Sequence, residues 1–109
     1  MLKISIIKCL SDNYSYLLKD ENTNTVGVVD PSEFAAVDEE IKKKYRKLDF
    51  ILNTHHHADH IGGNLELKEK YNSKIVCSFN DKEIIKNTDI NLNDGDIFSF
   101  GKTDFKVMH

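Results

Sequence analysis

The 109 residues are 39% hydrophobic and 30% charged, with one proline and a net charge of −3 spread over interleaved lysines and acids. That describes one small domain, and it gives no basis for a nucleic-acid or anionic-membrane partner. No stretch approaches the ~20 apolar residues of a membrane span. A chain of this size buries roughly 60–70% of the surface its unfolded form exposes, enough for a core with little in reserve.

Leu2 to Lys8 alternates and is rich in isoleucine, which predicts a first strand. The apolar run is too short for a secretion signal, is broken by Lys8 and has no small-residue cleavage site behind it. Cys9 and Cys77 lack any CxxC spacing and read as two small half-buried side chains in a reducing compartment. The cytoplasm is the expected location.

Ser11-Asp12-Asn13 is a turn cluster. Tyr14 to Leu18 and Thr25 to Val29 are predicted strands of a hairpin, joined by the polar loop Lys19 to Asn24. Tyr14 and Tyr16 alternate on the first of these strands and read as core rather than as substrate contacts. Asp30-Pro31-Ser32 ends the hairpin, with Ser32 as helix N-cap. Phe34, Val37, Ile41, Tyr45 and Leu48 follow at helical spacing and predict an amphipathic helix facing a sheet.

Asp49 to Asn53 is a short apolar strand. Beyond a histidine cluster, Gly62-Gly63 breaks the backbone, Asn64 to Tyr71 reads as a second helix and Lys74 to Ser78 as a strand. Asp81 to Lys86 reads as a short helix. The turn Asp94-Gly95-Asp96 precedes a strand from Ile97 to Phe100, and Gly101-Lys102 separates that from a strand over Asp104 to Met108. The sum is an α/β (α+β) fold, a mixed β-sheet with helices on one face.

Thr54-His55-His56-His57-Ala58-Asp59-His60 holds four of the five histidines within six positions, with a carboxylate among them. A surface accident and a hydrogen-bonding cluster at a strand end are the bland readings, and the spacing favours metal. Residues two apart on an extended segment project to the same side, so His55 and His57 converge while His56 points away. Asp59 and His60 offer a second pair where the chain turns. Imidazole nitrogen and carboxylate oxygen are zinc donors, and two pairs suit two adjacent ions better than one.

Thr54 through His60 followed by Ile61-Gly62-Gly63-Asn64 resembles the THxHxDHxGGN signature of the metallo-β-lactamase superfamily. Asp12-Asn13-Tyr14 with Tyr16-Leu17 resembles the DNYxYL stretch of glyoxalase II, the hydroxyacylglutathione hydrolases. Val28-Val29-Asp30-Pro31 is similar to the VDP that ends an early strand in that family. The resemblance covers essentially the whole chain. It implies that His55 and His57 bind a first zinc, that Asp59 and His60 bind a second, and that Asp30 lies beneath the loop as their hydrogen-bond partner. A turn or helix-capping role for Asp30 is equally open.

The resemblance further implies hydrolysis of glutathione thiolesters, S-D-lactoylglutathione to glutathione and D-lactate, without a side-chain nucleophile. In the family a TPGHT-like segment follows the last hairpin and its histidine completes the first zinc. A bridging aspartate and a final histidine complete the second, and a helical domain binds glutathione. None of these lies within residues 1–109, and His109 falls about four positions short of the missing ligand. The expectation is therefore the N-terminal half of an αββα sandwich, a truncated domain inactive by itself. It would hold zero or one Zn2+ where the full site holds two. A separate C-terminal fragment, or self-association through the uncovered sheet face, would be its partner. The alternatives are a non-catalytic remnant and an esterase or lactonase of the same fold.

Overall fold

The computed structural model describes residues 1–9, 13–54, 63–79, 85 and 87–106. Alternating side chains make Leu2–Lys8 (β1), Tyr14–Asp20 (β2) and Thr25–Val29 (β3) an antiparallel meander, with Ile6 opposite Tyr16 and Tyr16 opposite Val29. β2 runs two residues further than its hydrophobic pattern indicates. The turn over 21–24 is tight because Asn24 takes a left-handed φ of 59°, a region that asparagine tolerates.

From β3 onward the sheet is parallel. Phe50–Leu52 (β4), Lys74–Ser78 (β5) and Ile90–Leu92 (β6) follow in the order β1-β2-β3-β4-β5-β6. β6 escapes sequence reading, since three residues centred on an asparagine carry no alternation. It forms because Asp89 brackets Ile75, accepting the Ile75 N–H on its carboxylate at 2.9 Å and donating its own N–H to the Ile75 carbonyl at 2.8 Å.

Parallel neighbours require crossovers, and two of these contain helices among the described residues: Phe34–Lys44 (α1) and Asn64–Tyr71 (α2). Both pack on one face. Val37 and Ile41 of α1 and Leu67 of α2 meet Leu17, Val26, Val28, Ile51 and Ile75 of the sheet. α1 stops before Tyr45, although Tyr45 and Leu48 keep its spacing. Tyr45 and Arg46 both donate their N–H to the Ile41 carbonyl, at 2.9 and 2.7 Å, and Arg46 turns left-handed at φ 57°, which closes the helix. Leu48 still reaches the core, from the loop. Ser32 is not the cap. Glu33 takes that position in extended conformation without a side-chain bond, and the Ser32 hydroxyl is buried with no hydrogen-bond partner.

The opposite face is partly covered, not bare. Ile97–Phe100 (β7) and Thr103–Lys106 (β8) form a separate hairpin whose Phe98, Phe100 and Phe105 pack with Leu18, Phe50 and Val76. Phe50 meets Phe98 edge-on with centroids 5.1 Å apart, and Gly27 leaves room for the Phe100 ring, 2.6 Å from where a Cβ would stand. Of β1, Leu2 packs against this cluster, and the cover ends there. Ile4 and Ile6 stay 60% and 67% exposed, and Tyr14 and Tyr16, on the same face, stay 48% and 39% exposed. These tyrosines are therefore not core, because the two-residue period that turns Ser15 and Leu17 toward the helices turns them away. The turn over 11–12, most of the expected helix over 81–86 and the end of the last strand lie outside the described residues. No described helix is long and apolar enough to cross a membrane.

Candidate metal centre

His55, His57, Asp59 and His60 lie outside the described residues. The chain on either side of them is described, and it forms a frame of buried polar contacts at the carboxyl ends of β3 and β4. Open sheets with parallel strands place their sites at this edge.

Asp30 is the centre of the frame. It leaves β3 with a left-handed φ of 49° and continues the parallel pairing by donating its N–H to the Leu52 carbonyl at 2.9 Å. One oxygen of its carboxylate accepts the Thr54 N–H at 2.8 Å, and the other accepts the Thr54 hydroxyl. Asp30 thus grips the residue immediately before the histidine run, and α1 is capped elsewhere. From below, the Ser15 hydroxyl donates to the Asp30 carbonyl at 2.8 Å and accepts the Ser32 N–H at 3.3 Å. The buried Cys9 thiol lies 3.4 Å from the same hydroxyl.

The far end of the run is held to the same turn. Gly63 donates its N–H to the Pro31 carbonyl at 2.8 Å, and a Cβ there would stand 3.1 Å from Glu33 and Phe34 main-chain atoms. Only glycine allows that approach without displacing backbone. Asn53, whose N–H donates to the Val76 carbonyl at 2.9 Å, pairs through its side chain with Asn64, the first residue of α2. At the other end of α2, Asp38 of α1 accepts Lys70 Nζ at 2.7 Å and the Tyr71 hydroxyl. Burial raises the Asp38 pKa, but these two donors outweigh it and the net shift is downward.

The motif singled out the four candidate ligands in the sequence, and of these and Asp30, named with them, only Asp30 is described. The roles of Ser15, Asn53, Thr54 and Asn64 were missed, although an asparagine on either side of the cluster was a visible signal. The donor set of three imidazoles and a carboxylate fits zinc. On the other face of the sheet, a groove of about 620 Å3 lined by Ile6, Tyr16, Leu18, Val76 and Phe98 reaches Asn53 and Thr54, and so opens beside this frame.

Comparison with known proteins gives the architecture its context. A family model described as the metallo-beta-lactamase superfamily matches residues 11–109. A protein named hydroxyacylglutathione hydrolase from Pelagibacter ubique (strain HTCC1062) is 45% identical over 108 residues, which are 99% of this chain and 45% of the relative. One of the same name from Methylococcus capsulatus is 38% identical over 108 residues, 99% of this chain and 42% of the relative. The chain spans less than half the length of these curated relatives. The crystal structure of ETHE1 from Myxococcus xanthus shares the fold at a TM-score of 0.82 and 26% identity, covering 95% of this chain and 46% of that one. The B3 metallo-beta-lactamase BLEG-1 does so at a TM-score of 0.80 and 18% identity, over 97% of this chain and 59% of that one, a likeness of fold alone. With its mixed sheet, its two described helices on one face and a family match running from residue 11 to residue 109, the chain belongs to the metallo-β-lactamase superfamily.

Proposed function

We propose that these residues form part of a zinc-dependent hydrolase site for glutathione thiolesters, with S-D-lactoylglutathione as substrate. The observation that carries this reading is the grip of Asp30 on Thr54 at the carboxyl ends of two parallel strands. It starts the His55–His60 run from a fixed point, as a ligand loop requires. The identity to proteins named hydroxyacylglutathione hydrolase supports the choice of substrate.

His55 and His57 would hold one ion, and Asp59 and His60 the other. Zinc, when bound, supplies a Lewis acid and lowers the pKa of a coordinated water to about 7. The chain's own part is to fix donor positions: Asp30 orients Thr54, and Gly63 on Pro31 returns the loop to α2. Partners that orient ligands in this way are worth roughly 10–100-fold in metal affinity.

Residues 1–109 supply two ligands per ion, whereas a catalytic zinc takes three protein ligands and a water. Hydrolysis is therefore expected only when the remaining ligands are supplied alongside residues 1–109. The exposed apolar stretch of Ile4, Ile6 and Tyr16 gives the part that carries them a surface to cover. The test is to count zinc in the purified chain and assay S-D-lactoylglutathione hydrolysis. The assay is run alone and with a polypeptide covering the remaining length of the Pelagibacter relative. Turnover only in the mixture is expected. Robust turnover by the chain alone would refute the division of ligands, and a chain that never takes up zinc would refute the metal site.

A further inference from the structure

Two asparagines stand immediately outside the segment that carries the candidate ligands, and their side chains meet. Asn53 Nδ2 donates to Asn64 Oδ1 at 3.2 Å, and Asn64 Nδ2 donates to Asn53 Oδ1 at 2.6 Å, across eleven positions of chain. Each amide gives one donor and one acceptor, so the ring of two bonds survives reversal of both amides. Both residues are buried, 7% and 3% exposed.

Main-chain bonds already anchor the two residues separately, Asn53 through its N–H to Val76 and the start of α2 through Gly63 to Pro31. Burial alone would be served better by an apolar pair, since a buried amide has first to recover the hydration it lost. What the amides add is direction. Two directed bonds fix both the separation and the rotation of the α2 start relative to the β4 end.

We infer that the Asn53–Asn64 amide pair is the clasp of the metal loop, two positioning residues that set where the segment leaves relative to where it enters, and through this its metal affinity. The clasp presupposes the zinc-site reading proposed above. Asn53 and Asn64 are not ligands, for each amide oxygen is already engaged by the other residue.

The experiment titrates the full chain with Co2+ and Zn2+, following the visible cobalt spectrum, and measures backbone hydrogen exchange over residues 54–64 without metal. Asn53→Ala and Asn64→Ala are each expected to weaken metal binding about tenfold or more. The double variant should bind no more weakly than the worse single one, because the two side chains act as a unit. An Asn53→Val/Asn64→Val pair, which restores packing without hydrogen bonds, should regain thermal stability and keep the weak binding and altered spectrum. Asp38→Asn, which loosens the other end of α2, should leave affinity unchanged. Exchange over 54–64 should quicken about tenfold in both alanine variants and not in Asp38→Asn. Wild-type affinity in the valine pair, or unaltered exchange in the alanine variants, would overturn the clasp. A wild-type chain that binds neither metal, yet shows the exchange difference, supports the clasp's hold on the two ends of the segment and sinks the zinc reading, and with it the effect on affinity.

Discussion

Lys102 donates its backbone N–H to the Asp20 carboxylate across 2.6 Å, joining residues 82 positions apart. The same carboxylate accepts the Thr23 hydroxyl at 2.8 Å, so one buried acid ties the end of β2 to the turn of the β7–β8 hairpin. The Lys102 bond holds the Asp20 pKa below the usual carboxylate range, against the opposing effect of burial. A depressed folded pKa means stability that is present above pH ~3.9 and lost as pH falls through the folded value. Asp20→Ala should therefore free the hairpin, lower the unfolding midpoint, raise binding of a hydrophobic dye and flatten the acid limb of the stability curve. An unchanged midpoint and dye signal would mean that the phenylalanines alone hold the hairpin.

Gly101 sits at the contact with Asp20. Its φ is +62°, and a Cβ would stand 2.1 Å from Thr23 Oγ1 and 2.2 Å from Asp20 Oδ2. Gly95 is also left-handed, at φ +89°, with nothing within 4 Å of an added Cβ. Gly95→Ala should cost about 1 kcal/mol, from backbone strain alone. Gly101→Ala should cost about 2–3 kcal/mol, because it adds a clash with the docked carboxylate. Urea denaturation of both variants decides the matter, and equal losses would refute the difference.

Tyr71 is pushed well above the ordinary tyrosine range, by burial first and then by the Asp38 carboxylate that its hydroxyl meets. A raised folded pKa gives stability that is full below pH ~10 and declines as pH rises beyond it. Asp38, shifted down, contributes above pH ~3.9 and loses its contribution on acidification. Asp38→Ala leaves Lys70 and Tyr71 without this partner and should destabilise by about 1–3 kcal/mol. Absorbance titration near 295 nm checks the other side: Tyr71→Phe should abolish the latest-ionising component, and its persistence would contradict the assignment.

Gly63→Ala probes the exit of the proposed ligand loop. Its neighbours at 3.1–3.2 Å are main-chain atoms of Pro31, Glu33 and Phe34, which cannot swing aside as a side chain would. The loop end has to shift by a few tenths of an ångström. We expect a stability loss of about 1–3 kcal/mol and metal binding weakened by about tenfold. Unaltered affinity beside lowered stability would show that the loop tolerates the shift.

Much of this fold was legible because periodicity survives burial. The alternation in Leu2–Lys8 and the compact run Lys74–Ser78 gave their strands, and the Asp94-Gly95-Asp96 turn is where composition put it. What failed depended on long-range partners. β6 exists through Asp89 bracketing Ile75, α1 ends where Arg46 turns left-handed, and Tyr14 and Tyr16 face outward because of where the helices lie. At the site the candidate ligands were proposed from residue type and spacing alone. The frame could not be, because an asparagine on either side of the cluster is a hint that only the fold, by bringing Asn53 and Asn64 together, turns into a pair.

The sheet changes character at β3, and this bears on the order of assembly. β1, β2 and β3 pair with sequence neighbours through short turns, whereas β4 and β5 can join only after α1 and α2 have crossed over. Closing long connections slows pairing, so residues 2–29 should nucleate and the edge bearing Asn53 and Thr54 should consolidate late. Refolding kinetics would then report high φ-values at Leu17 and Val28 and low ones at Ile75. Damage around the histidine run would accordingly speed unfolding more than it slows folding.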